Sequence, residues 1–75
     1  MTLDDHRKAI DALDREILER LNERARHAQA IGKIKGGAVA YRPERETQVL
    51  QGLHAGNAGP LRNEHVTGIF RALAR

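Results

Sequence analysis

Three charged residues lie on faces of predicted helices that should be packed, and they are the first candidates for chemistry. At 100° per residue, Arg24 and Lys35 lie within about 30° of the centre of the apolar stripe of the first predicted helix. About 16 Å separates them along the helix axis. In direction around the axis of the second predicted helix, Glu46 projects between Val49 and Leu50, on the face that should be packed. Because the burial of an unpaired charge is costly, each of these groups needs a partner.

Two interpretations of these charges remain open. One is an interhelical salt bridge from Glu46 to Arg24 or Lys35, with the aliphatic parts of the side chains covering apolar surface. The other is a polar pocket inside a helical bundle that binds an anion, since two cations and one carboxylate leave a positive charge. The histidines show no i,i+3 or i,i+4 pairing, so neither a metal nor another cofactor is expected.

The first predicted element is an amphipathic helix from about Leu3 to Lys35, with a length of about 50 Å. Its apolar residues recur on one stripe. They are Ile10, Leu13, Ile17, Leu21, Ala28 and Ile31. The pair Gly36-Gly37 predicts its end, because glycine readily adopts the left-handed conformation that terminates helices. A helix of this length needs a long partner surface.

Two shorter helices are predicted after it. Pro43 suits the first turn of the second helix, residues 56–60 have the composition of a turn, and the third helix begins near Asn63. The residues predicted to pack are Val49, Leu50 and Leu53 in the second helix and Val66, Ile69, Phe70 and Leu73 in the third. One long and two short helices do not easily enclose a core, whereas two copies can. The expected fold is an all-α, intertwined homodimeric helical bundle.

The composition limits the function. The 75 residues form one domain, 1–75, whose core is marginal alone, which again favours an oligomer. The sequence contains neither Cys nor Ser, so the two commonest covalent nucleophiles are absent. No apolar run is long enough for a membrane span, and a cytoplasmic location is expected. The net charge of +3 suits a small anionic ligand and does not require nucleic acid.

Four segments of the chain carry a resemblance to a known family. They are LDREILERLNERARHAQAIGKIK, YRPERETQVL, GNAGPL and IFRAL, in that order and with plausible spacing. Together they resemble the all-α chorismate mutases, in particular the N-terminal mutase domain of bacterial bifunctional chorismate mutase–prephenate dehydratases. The combination of NERA and IGxxK with PERE is specific, whereas each piece alone is not.

The resemblance implies a substrate, chorismate, and a role for each matching residue. It implies that Arg7, Arg24 and Arg45 bind the two carboxylates of chorismate. It implies that Lys35 donates to the ether oxygen and that Glu46 accepts from the ring hydroxyl. The implied reaction is the Claisen rearrangement to prephenate, which is unimolecular and needs no cofactor.

The length of the first helix adds a geometric expectation. Arg7 lies about 42 Å from Lys35 along it, so one pocket that uses both must take Arg7 from a second, antiparallel chain.

Two features depart from the family. Arg42 stands where relatives often have Asp, at a position thought to contribute mainly its backbone. The family's third helix also continues about a dozen residues further and supplies two polar side chains there. This sequence ends before both positions, so either its third helix is truncated or its activity is reduced.

Two other functions remain open on the sequence alone. An isochorismate–pyruvate lyase shares the fold and a similar cationic site, although the PERE context favours the mutase. A non-catalytic dimer that binds a related acid or a protein is the other, and a basic module for nucleic acid is disfavoured by the modest net charge.

Overall fold

The computed structural model describes residues 1–34 and 43–73, which fall into two compact units. The first contains helix α1, Leu3–Ile34. The second contains helices α2, Pro43–Gly56, and α3, Asn63–Leu73. The described residues form no strand, which confirms the all-α prediction. The predicted starts of the three helices are confirmed, whereas the predicted end of the first, at Lys35 to Gly37, lies outside the described residues.

Helix α1 begins with reciprocal capping by two side chains. The Thr2 hydroxyl accepts the backbone N–H of Asp5 at 3.1 Å, and the Asp5 carboxylate accepts the backbone N–H of Thr2 at 2.9 Å. This capping box satisfies two donors that a helix start leaves unpaired. Hydrogen bonding from the Thr2 backbone N–H, and to a lesser extent from the Thr2 side chain, lowers the pKa of Asp5, because it stabilises the charged form of the carboxylate.

The predicted apolar stripe of α1 is largely exposed. Ile10, Leu13, Ile17 and Ile31 each expose slightly more than half of their surface, and Leu21 is half-buried. With 32 residues, α1 is about 48 Å long, so the stripe is a long apolar surface on a chain of this size.

Helices α2 and α3 pack on each other as a helical hairpin, in which Val66 is buried. The residues around it are half-buried: Val49, Leu50, Leu53, Phe70 and Leu73. These positions confirm the predicted packed faces with one exception. Ile69 is 49% exposed, so its predicted place in the packed face is wrong for the hairpin, since a single helix covers only a narrow stripe of its neighbour.

The turn between α2 and α3 is held by the side chain of Asn57. Its amide nitrogen donates to the Leu61 carbonyl and to the Asn63 side-chain oxygen, both at 2.8 Å. Its own side-chain oxygen accepts the Gly59 N–H at 3.0 Å. Gly59 has a φ of 79°, in the left-handed region that glycine adopts at low cost. The turn predicted over residues 56–60 is therefore confirmed.

Candidate active site

Glu46 lies near the start of α2 and is the most protected of the described candidate residues. Its side chain is 20% exposed, and its Oε1 lies 3.3 Å from Nε of Arg71 on α3. The expectation that this carboxylate needs a cationic partner is met inside the hairpin. The periodicity did not indicate Arg71, which falls outside the apolar stripe of α3.

An antiparallel hairpin contains the signal that could have found this pair. A residue near the start of α2 must face a residue near the end of α3, which brings Glu46 opposite Arg71. The same rule brings His54, late in α2, opposite Thr67, earlier in α3. His54 Nε2 and Thr67 Oγ1 are 2.7 Å apart, and both residues are half-buried.

Arg45 directly precedes Glu46 and is exposed. Successive residues of a helix project about 100° apart, so the guanidinium of Arg45 and the carboxylate of Glu46 leave α2 in different directions. Arg45 and Glu46 are therefore neighbours in sequence, but the carboxylate lies on the packed side of α2 and the cation on its solvent side.

Arg7 and Arg24 are both exposed on α1, and α1 does not bring them together. They are separated by about 25 Å along the axis and by about 100° around it. Within the described part of the chain, neither forms an ion pair, in contrast to Arg20, which pairs with Glu23 at 2.9 Å. The other two candidates, Lys35 and Arg42, lie outside the described residues.

The described residues contain no group of three or more side chains that could hold a metal ion. Among those same residues, no helix is both long enough and apolar enough to cross a lipid bilayer.

The helices and the candidate side chains define a class: a small all-helical protein with exposed arginines on α1 and one protected carboxylate on α2. The comparisons with known proteins identify the family. The model of the family "chorismate mutase type II" matches residues 6–75, so the chain belongs to this family.

Three curated relatives agree with this assignment, and each is named "bifunctional chorismate mutase/prephenate dehydratase". The protein from Neisseria gonorrhoeae is 56% identical over 66 residues, which cover 88% of this chain and 18% of the relative. The proteins from Pseudomonas aeruginosa and Stutzerimonas stutzeri are 46% and 43% identical over 74 residues, covering 89% of this chain and 20% of each relative. The chain thus spans about a fifth of the length of the curated relatives that it matches. No solved structure matches it significantly.

Proposed function

We propose that this chain is a chorismate mutase domain, formed by residues 1–75, which rearranges chorismate to prephenate in aromatic amino acid biosynthesis. The observation that carries the proposal is the match of residues 6–75 to the chorismate mutase type II family. The names of the relatives, which include the mutase activity, support it. Such a biosynthetic enzyme acts in the cytoplasm, and this is the location that we propose.

The reaction fits the side chains that the chain offers. A Claisen rearrangement forms a C–C bond and breaks a C–O bond within one molecule, so the absence of Cys and Ser from the sequence is no obstacle. The protein has to hold the substrate in its compact, reactive conformation. It also has to stabilise the negative charge that grows on the ether oxygen as the C–O bond breaks.

In this proposal, three arginines orient the substrate and two other residues act at the reacting part. Arg7, Arg24 and Arg45 bind the carboxylates, because a guanidinium can donate two parallel hydrogen bonds to a carboxylate. Lys35 donates to the ether oxygen, and Glu46 accepts from the ring hydroxyl. The low exposure of the Glu46 side chain supports its role, since an acceptor shielded from water holds its hydrogen bond more strongly. Arg42 contributes mainly its backbone.

The proposed active form is a homodimer in which each pocket takes Arg7 from the partner subunit. The separation of about 25 Å between Arg7 and Arg24 along α1 supports this arrangement, because a small dicarboxylate does not bridge it on one helix. The exposed apolar stripe of α1 supports it as well, since apolar surface of this extent favours association. Two-fold symmetry then gives two equivalent pockets.

The consumption of chorismate, followed together with the appearance of prephenate, tests the function. Lys35→Ala removes the donor to the ether oxygen, and Glu46→Gln removes the negative charge of the group that accepts from the ring hydroxyl. Each is expected to lower kcat by a factor on the order of 10²–10³. Arg62→Gln is the matched control, since Arg62 is an exposed residue whose ion pair with Glu64 lies outside the proposed site.

Three results would count against the proposal. Faster cleavage of isochorismate than rearrangement of chorismate would assign the lyase activity instead. Tight binding of a bicyclic transition-state mimic without turnover would indicate a binding module. Normal turnover by Lys35→Ala would remove Lys35 from the site.

A further inference from the structure

Arg71 contacts the candidate catalytic group Glu46, although neither the family resemblance nor the apolar pattern of α3 predicts a role for it. Its Nε lies 3.3 Å from Oε1 of Glu46 and joins the end of α3 to the start of α2. We propose that Arg71 is a positioning residue that fixes the rotamer of the Glu46 carboxylate for the substrate hydroxyl. This inference rests on the proposed mutase function.

The burial of the two partners is unequal, and this favours a positioning role over a purely structural one. The Glu46 side chain is 20% exposed, whereas that of Arg71 is 62% exposed. An ion pair with one largely solvated partner adds little to folding stability, because water screens the attraction and the long side chain loses rotamer freedom. Its main effect is then on the better-buried partner, whose carboxylate it holds in one orientation.

The location of Glu46 makes such a restraint useful. A glutamate side chain has several rotatable bonds, and holding it in one rotamer costs conformational entropy. Glu46 stands in the first turn of α2, and Val49 and Leu50 on the turn that follows are half-buried. Arg71 approaches from α3 and adds a directed, charge-assisted hydrogen bond from a second helix. A misplaced acceptor weakens contacts that matter in the transition state.

The chain offers a matched control for this pair. Arg62 donates to Glu64 at 3.4 Å, but both side chains are more than two-thirds exposed and neither belongs to the proposed site. Arg71→Gln and Arg62→Gln therefore remove the same kind of side chain and the same kind of contact. Only the first is expected to affect catalysis.

The test measures kcat and KM for chorismate, the affinity for a bicyclic dicarboxylate transition-state mimic, and thermal unfolding, all with the full chain. Arg71→Gln is expected to lower kcat/KM and the affinity for the mimic by about fivefold, the effect of losing a partly exposed ion pair. Arg71→Lys should recover part of the loss because it keeps the charge. Arg62→Gln should match the wild type.

A double-mutant cycle separates positioning from a general effect on the hairpin. In the Glu46→Gln background, Arg71→Gln is expected to have no further effect on kcat/KM, since the group that it positions has already been changed. An equal fivefold loss in both backgrounds, or a loss that follows the melting temperature, would overturn the positioning role. If the wild type is active and Arg71→Gln has the same kinetics, the positioning role of Arg71 is overturned and the proposed function stands. If the wild type neither turns over chorismate nor binds the mimic, both the proposed function and the positioning role are overturned.

Discussion

Complementation between two inactive variants gives the sharpest test of a pocket shared between subunits. Arg7→Ala and Arg24→Ala should each be nearly inactive as homodimers, because each lacks one carboxylate contact in both pockets. Unfolding the two proteins together and refolding the mixture should restore activity. In a mixed dimer, one pocket receives Arg7 from the Arg24→Ala chain and Arg24 from the Arg7→Ala chain, and so regains both arginines.

The expected recovery of activity follows from the geometry of α1 and from the random pairing of the two variant chains. The two arginines are about 25 Å apart along the axis and about 100° apart around it. Helical side chains lean toward the N-terminus, so both arginines lean the same way and the gap between them is not shortened. If the site takes one arginine from each chain, random pairing makes about half of the dimers mixed, each with one intact pocket of two. Activity should therefore reach about a quarter of the wild-type value per chain.

The assay is chorismate consumption after co-refolding, with size-exclusion chromatography to confirm the dimer. The control is the same two proteins refolded separately and combined at low temperature, which keeps the homodimers intact and should show no recovery. If both arginines of a pocket came from the same chain, every pocket of a mixed dimer would lack one of them. Co-refolding without recovery of activity, in samples that contain mixed dimers, would therefore refute a pocket shared between subunits.

Three further predictions concern stability, each measured by thermal or denaturant unfolding. Thr2→Ala should cost about 1 kcal/mol through loss of the hydroxyl that accepts the Asp5 N–H. Because the pKa of Asp5 is lowered in the folded state, chiefly by the Thr2 backbone N–H that alanine keeps, the contribution of the Asp5 carboxylate is full above the ordinary Asp pKa and is lost as the pH falls through the lowered value. Wild type and Thr2→Ala should therefore both lose stability in acid, and a free energy of unfolding that does not depend on pH in this range would be the contrary result. Gly59→Ala should destabilise by about 1 kcal/mol because its φ is positive, while Gly52→Ala, in open space within α2, should stabilise by up to about 1 kcal/mol; effects of the same sign would contradict the assigned backbone conformations. Thr67→Val should cost about 1 kcal/mol by removing the contact with His54, and an unchanged melting temperature would show that this contact does not stabilise the hairpin.

The sequence was sufficient for features that depend on the order of residues along one helix. The apolar repeat predicted α1 and its start, Pro43 marked the start of α2, and the glycine-rich turn placed the start of α3 at Asn63. The same periodicity placed Glu46 on the packed face, and its low exposure confirms that placement. These features could be predicted because helical geometry fixes the direction of each residue within its own element.

The partners across the hairpin could not be predicted in the same way. Arg71 projects away from the apolar stripe of α3, and its long side chain reaches Glu46 from there. A helical-wheel projection gives only the direction in which each side chain leaves the helix and does not include the length of the side chain. The spacing of the histidines along the sequence likewise gives no information about the partner of His54, which is the Thr67 hydroxyl on the neighbouring helix. The cap of α1, in contrast, has a signal in the sequence, since Thr2 and Asp5 have the three-residue spacing of a capping box.

The proposed site and the proposed dimer depend on the same property of α1, its length. A helix of 32 residues separates Arg7 from Arg24 too far for one small ligand and also carries an apolar stripe along most of its span. A shorter helix would bring its cations closer together but would present less surface for a second chain. If an antiparallel copy covers the stripe, the start of one α1 lies beside a later part of the other, and the cations converge as the apolar surface becomes buried.

Substitutions on the stripe, such as Ile17→Asp, should therefore abolish activity and dimer formation together, although Ile17 has no role in the chemistry. A monomeric Ile17→Asp variant with full activity would separate the two and contradict the shared pocket.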